Sequence, residues 1–131
     1  MTWKHEDSIK PEDHVGFVYI ITNNINHRYY IGQKKFWFKH RLKPLKGKKN
    51  HRLRMVESDW KSYWGSCKEL LMDIEKHGAQ NFTRTILYLC KSKAKMNYIE
   101  AREQFEFNVL YDSKSYNRII NCRISSGQLG L

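Results

Sequence analysis

The stretch from Gly16 to Gly32, GFVYIITNNINHRYYIG, restricts the fold of this chain more than any other. Two runs of β-branched and aromatic residues, Phe17 to Ile21 and Tyr29 to Ile31, flank a polar cluster of turn formers, Asn23, Asn24, Asn26 and His27. Side chains of the first kind suit a pleated, half-buried surface, and the cluster suits a chain reversal, so the stretch predicts a β-hairpin. Tyr19 falls in its first strand and Tyr30 in its second. A strand alternates its faces and a buried phenol needs a hydrogen-bond partner, so the placement of the two decides whether their hydroxyls converge.

The charge of the chain is as uneven as its hydrophobicity. Its net charge is +11, yet from His14 to Val56 there are eleven Lys or Arg and no Asp or Glu, while the remainder is balanced. Much of the excess lies in KHRLKPLKGKKNHRLR, Lys39 to Arg54. A one-sided block of that density forms an anion-binding face. The interleaved aromatics Phe36, Trp37 and Phe38 suit nucleic acid better than lipid headgroups. The candidate nucleic-acid contacts are Lys34, Lys35, Lys39, Lys43, Lys46, Lys48, Lys49, Arg52 and Arg54.

Length and composition predict one soluble, cytosolic domain over residues 15–131, preceded by an N-terminal arm over 1–14. No apolar run approaches the roughly 18 to 20 residues that span a bilayer, and the start of the chain is too charged for a signal peptide. Three scattered cysteines, Cys67, Cys90 and Cys122, argue against a disulfide framework and against a zinc finger.

Beyond the hairpin, QKKFWFKHRL has enough apolar periodicity for a short helix ending before Pro44. Residues 43–56 then form a basic insertion, read as a loop as far as Arg54. Ser66 and Glu69 make a capping box that opens a helix closed by Gly78. Phe82 to Cys90 reads as a third strand, and Ser92 or Lys93 to Leu110 as the longest helix. Tyr116 to Ile124 adds a terminal edge strand. The sum is a small α/β (α+β) domain, a three-stranded mixed or antiparallel sheet flanked by helices.

On a helical wheel of Lys93 to Leu110, Tyr98, Ala101, Phe105 and Val109 share a face, which Met96, Ile99, Phe107 and Leu110 extend. Glu103 falls inside that apolar sector, whereas Glu100 falls at the polar border. A carboxylate in apolar surroundings is costly unless paired or bound to a cation, which singles out Glu103. The plain alternative is an ion pair with a nearby Arg or Lys.

Taken together, Tyr19, Tyr30-Ile31-Gly32, Lys76-His77-Gly78 with Phe82, Arg102-Glu103-Gln104-Phe105 and Tyr116-Asn117 follow in the order seen in GIY-YIG endonucleases. The chain resembles that family over roughly residues 15 to 120. Two departures stand out. The family's arginine, about eight residues after the YIG glycine, falls on His40, so Arg41 takes the role by a one-residue shift, or else Arg52 or Arg54 does. Val18 also precedes Tyr19, which leaves Gly16 one residue further away than in the eponymous motif.

The resemblance implies a metal-dependent DNA endonuclease of the freestanding phage type, acting in the host cytosol if phage-encoded. Glu103 would hold one Mg²⁺ (or Mn²⁺) and Arg41 would neutralise the phosphate. Tyr19 would help deprotonate the attacking water, its phenol made more acidic by Lys34, Lys35 or His40. Tyr30 and Asn117 would complete the site. One site per chain makes one cut at a time, so breaking double-stranded DNA calls for a homodimer, a partner protein or two visits. The competing reading is a catalytically inactive basic nucleic-acid-binding module of the same fold.

Overall fold

A computed structural model describes residues 2–49 and 52–131. The hairpin forms as expected, from β1 (Gly16–Asn23) and β2 (Tyr29–Lys35), with Tyr19 opposite Gly32 and Ile21 opposite Tyr30. Asn23 and Asn26 stitch the turn with side-chain acceptors for the Ile25 and Arg28 amides, and His27 takes the positive φ of 63° that closes it. The third strand, β5 (Phe82–Cys90), pairs antiparallel with the other edge of β1, giving the order β2-β1-β5. A bulge between Val18 and Tyr19 fits the extra residue of β5.

Because β1 is central, both its faces are buried and two cores result. Phe17, Tyr19 and Ile21 face an aromatic core with Trp3, Phe36, Trp60 and Tyr116, and Leu70 of α1 (Lys68–His77) joins it. Val18 and Ile31 face an aliphatic core with Met96 and Ile99 of α2 (Lys93–Glu106). Helices thus cover the sheet on both sides. Residues 2–14 lie along the domain, with Trp3 in the aromatic core and Lys4 bridged to Thr85 of β5.

Five sequence expectations change. Gln33 to Leu42 is not a helix; β2 runs to Lys35, Phe36 turns a corner inside the core, and β3 (Trp37–Leu42) leaves it as a strand. Its partner is β4 (Arg52–Glu57), so the far end of the expected basic loop is half of a two-stranded antiparallel ribbon. Short apolar runs fit either period, and here the aromatic Phe-Trp-Phe run paired with a second extended segment decides for strand. The capping box does not form: Cys67 is the N-cap without a side-chain bond, and the Glu69 carboxylate pairs with Arg28 at 2.6 Å and Arg118 at 3.3 Å. Gly78 ends α1 as expected, at φ 89°.

α2 begins at the expected Ser92 cap but ends at Glu106, four residues early, where Asn108 adopts a positive φ of 56° and the Val109 amide returns to the Gln104 carbonyl. No terminal strand forms among the described residues; the chain after Asp112 is held to β2 by a bridge between Tyr29 and Ser115. The three cysteines are free.

Candidate active site

The register of β1 and β2 brings the two motif tyrosines together. Tyr19 and Tyr30 project from the same sheet face with ring centroids 6.2 Å apart. A Cβ on Gly32 would sit 2.5 Å from the Tyr19 hydroxyl and 2.9 Å from the Tyr30 ring, so only glycine lets the rings lie this close to β2. Gly65, at φ 88°, brings the Trp64–Cys67 segment over the same two rings.

The two phenols have different surroundings. Tyr19 is 1 % exposed, hydrogen-bonded to Tyr63, and held well above its ordinary pKa by burial and by the neighbouring phenols. Tyr30 is also raised, chiefly by burial, with a hydrogen bond to the Ser66 hydroxyl opposing the shift. The expected cation does not lower Tyr19: Lys34 lies over the Tyr63 ring at 4.0 Å and is bound to Asp59 at 2.7 Å. Both phenols therefore stay protonated through the neutral range.

A cavity of about 320 Å³ opens at the outer edge of β2, between α2 and the segment after Asp112. Tyr30, Ser66, Glu100, Gln104, Asn117 and Arg118 line it. Glu100 reaches it over β2, accepting from Gln33 Nε2 at 3.1 Å, and burial raises its carboxyl above the ordinary value. Gln104, one helical turn on, donates to the Ile31 carbonyl at 3.0 Å, which leaves its own oxygen buried with no hydrogen-bond partner. Asn117 bonds both the amide and the carbonyl of Ile31, at 3.0 and 2.9 Å, and so replaces a strand neighbour at the β2 edge. Arg118 is fixed to the Ser115 carbonyl at 2.9 Å and to Glu69.

Glu103 lies elsewhere. It is paired with Arg102 at 3.3 Å and borders a separate hollow with Tyr88 of β5, Glu106 and Phe107. The wheel misplaced it because Phe107 and Leu110 lie past the helix end and half exposed, while Tyr98 and Phe105 point to solvent. The face that is buried carries Met96, Ile99, Ala101 and Gln104. Spacing could have located Glu100, since Gln104 four residues on shares its side of a helix.

His40 and Arg41 also lie outside the cavity, on the exposed ribbon opposite Arg54 and Leu53. Of the nucleic-acid candidates, Lys39, Arg52 and Arg54 are on the ribbon, Lys43, Lys46, Lys48 and Lys49 lie in the connection between its strands, and Lys34 and Lys35 at its root. Arg118, immediately after Tyr-Asn, is a cavity arginine the motif reading passed over.

The fold is a hairpin-centred α+β domain in which Tyr30, the Glu100 carboxylate and the Arg118 guanidinium line one cavity, with Tyr19 buried behind Tyr30. The chain belongs to the GIY-YIG family: residues 2–121 match the family model described as "Putative endonuclease segE, GIY-YIG domain". Comparison with curated proteins and with solved structures returned no match. Among the described residues, no helix is long and apolar enough to cross a membrane.

Proposed function

We propose that the protein is a metal-dependent DNA endonuclease whose hydrolytic centre is the cavity at the β2 edge. The observation that carries this reading is the presence of Glu100 in the same cavity as the motif tyrosine Tyr30. Among the described residues no three His, Cys, Asp or Glu converge on a metal position. A single carboxylate beside an unpartnered amide oxygen fits a cation that keeps most of its waters, as Mg²⁺ does. Glu100, rather than Glu103, would hold one Mg²⁺ or Mn²⁺, with the Gln104 oxygen accepting from its water shell. Bound there, the ion would stabilise charge on the scissile phosphate and on the leaving oxygen.

The chain's own groups divide the remaining work. With Ser66 as donor in their hydrogen bond, Tyr30 would keep its O–H for a phosphate oxygen, an interaction that strengthens as negative charge develops there. Tyr19, fully buried behind it, sets the Tyr30 ring and is a positioning residue. Arg118 takes the part first given to Arg41, neutralising the phosphate from a guanidinium already held by a backbone carbonyl. Asn117 is spent on the backbone and fixes the β2 edge.

Incubating supercoiled plasmid with the protein in Mg²⁺ and in EDTA tests the reading. Nicked or linear product in Mg²⁺ alone is expected. Plasmid that stays supercoiled in Mg²⁺ and in Mn²⁺ while the protein remains bound to it would establish the inactive binding module instead.

A further inference from the structure

The β3–β4 ribbon is unlike the rest of the molecule. β4 is exposed along its whole length, and among the described residues neither α1 nor α2 shares a substantial contact with the pair. Leu53 and Met55 are more than half exposed on it. Among the described residues, no carboxylate forms an ion pair with Lys39, Arg41, Arg52 or Arg54.

Directly opposed residues of an antiparallel pair share a face, so the register sorts the ribbon's side chains. One face carries Phe38 with Val56, His40 with Arg54, and Leu42 with Arg52; the other carries Trp37 with Glu57, Lys39 with Met55, and Arg41 with Leu53. The first face continues into the tyrosine cluster. Lys34 lies over the Phe38 ring at 5.0 Å and over the Tyr63 ring at 4.0 Å, and Tyr63 stacks edge-on to Tyr19 at 6.1 Å. The second face turns to the acidic N-terminal segment, where Trp37 donates to the Pro11 carbonyl and, with Met55, borders a hollow lined by Glu12 and Asp13. Arg52 and Arg54 give the first face its cations, Lys34 at its root being paired with Asp59 at 2.7 Å, while Glu12 and Asp13 stand with Lys91 at the root of the second.

We infer that this ribbon enters the major groove of duplex DNA by its His40/Arg52/Arg54 face and reads base edges there. A B-form major groove, about 12 Å wide, admits a two-stranded ribbon, and six residues per strand give about 20 Å of reach. Arginine pairs bidentately with the O6 and N7 of guanine, so Arg52 and Arg54 are the reading residues. Lys43, Lys46, Lys48 and Lys49, in the connection between the strands, meet phosphates. This inference rests on DNA being the substrate, as proposed above, and supplies that site with its sequence preference.

The test uses binding without cleavage, so it stands apart from the outcome of the plasmid assay. Duplexes are selected from a randomised library by the full chain carrying Glu100→Gln, without metal. The selected duplex is then compared with one containing 7-deazaguanine, which lacks the N7 acceptor. The expected result is an enriched sequence containing guanine and a loss of affinity of about tenfold or more on 7-deazaguanine. Adding Arg52→Gln with Arg54→Gln should abolish that difference, while Lys39→Gln with Arg41→Gln should weaken both duplexes equally and preserve it. No enriched sequence, no effect of 7-deazaguanine, or the same response from both pairs of substitutions would overturn the inference.

Discussion

At the scale of single residues, Glu100 is an acid kept where it is costly. Burial raises its pKa, so the folded state holds this proton more tightly than the unfolded chain does. Its contribution to stability is full below the unfolded pKa and is lost as pH rises through the folded one, which leaves the ionised group a burden at neutral pH. Glu100→Gln keeps the acceptor for Gln33 and removes that burden. We expect the metal-free variant to melt higher than the parent, on the order of 3 °C, in a thermal scan at pH 7. In the parent, cleavage in Mg²⁺ should fall on the acid side, because protonating Glu100 removes the metal's ligand. A pH profile in Mg²⁺ flat down to pH 4 would remove Glu100 from the reaction. Sequence periodicity favoured Glu103 over Glu100 because it treated Phe105, Phe107 and Leu110 as buried when all three are exposed. Burial of an aromatic is decided by what lies opposite it, and one sequence does not contain that.

At the scale of elements, the hairpin, β5 and both helices were legible because each carries its own punctuation: asparagines at the turn, Gly78 after α1, Ser92 before α2. Tyr19 and Tyr30 were legible for the same reason, since an antiparallel register follows from a short turn. The ribbon was not, because β3 and β4 bury almost nothing and leave no alternating pattern to read. Nor was the loss of the capping box, where Ser66 serves Tyr30 and Glu69 serves two arginines. The local motif lost to tertiary partners. The tyrosine pair depends on β2 having no side chain at Gly32. Gly32→Ala should cost roughly 1–3 kcal/mol of stability by overpacking. Once folded, the variant should cleave far more slowly while binding duplex DNA normally, as measured by a gel shift beside a nicking assay. Equal losses in both assays would make the glycine a matter of folding alone.

At the scale of the whole molecule, charge is segregated as the sequence indicated: the cationic block becomes the ribbon and its approach, on the side where Lys34 meets Tyr63. Neutralising phosphates releases counterions, so affinity should fall steeply with salt. Reversing Lys46, Lys48 and Lys49 to Glu should weaken binding and flatten the plot of log affinity against log salt by about 2 to 3. An unchanged slope would take the connection between β3 and β4 out of the interface. On the function proposed above, the cavity would carry hydrolysis and the ribbon recognition.

The assignment of the hydrolytic centre is tested most directly by following supercoiled plasmid in Mg²⁺ with the parent, Glu100→Gln and Glu103→Gln side by side. Glu100→Gln is expected to lose at least ~100-fold in nicking rate with DNA binding intact, and Glu103→Gln to stay within a few-fold of the parent. Full activity in Glu100→Gln, or its loss in Glu103→Gln instead, would contradict the assignment.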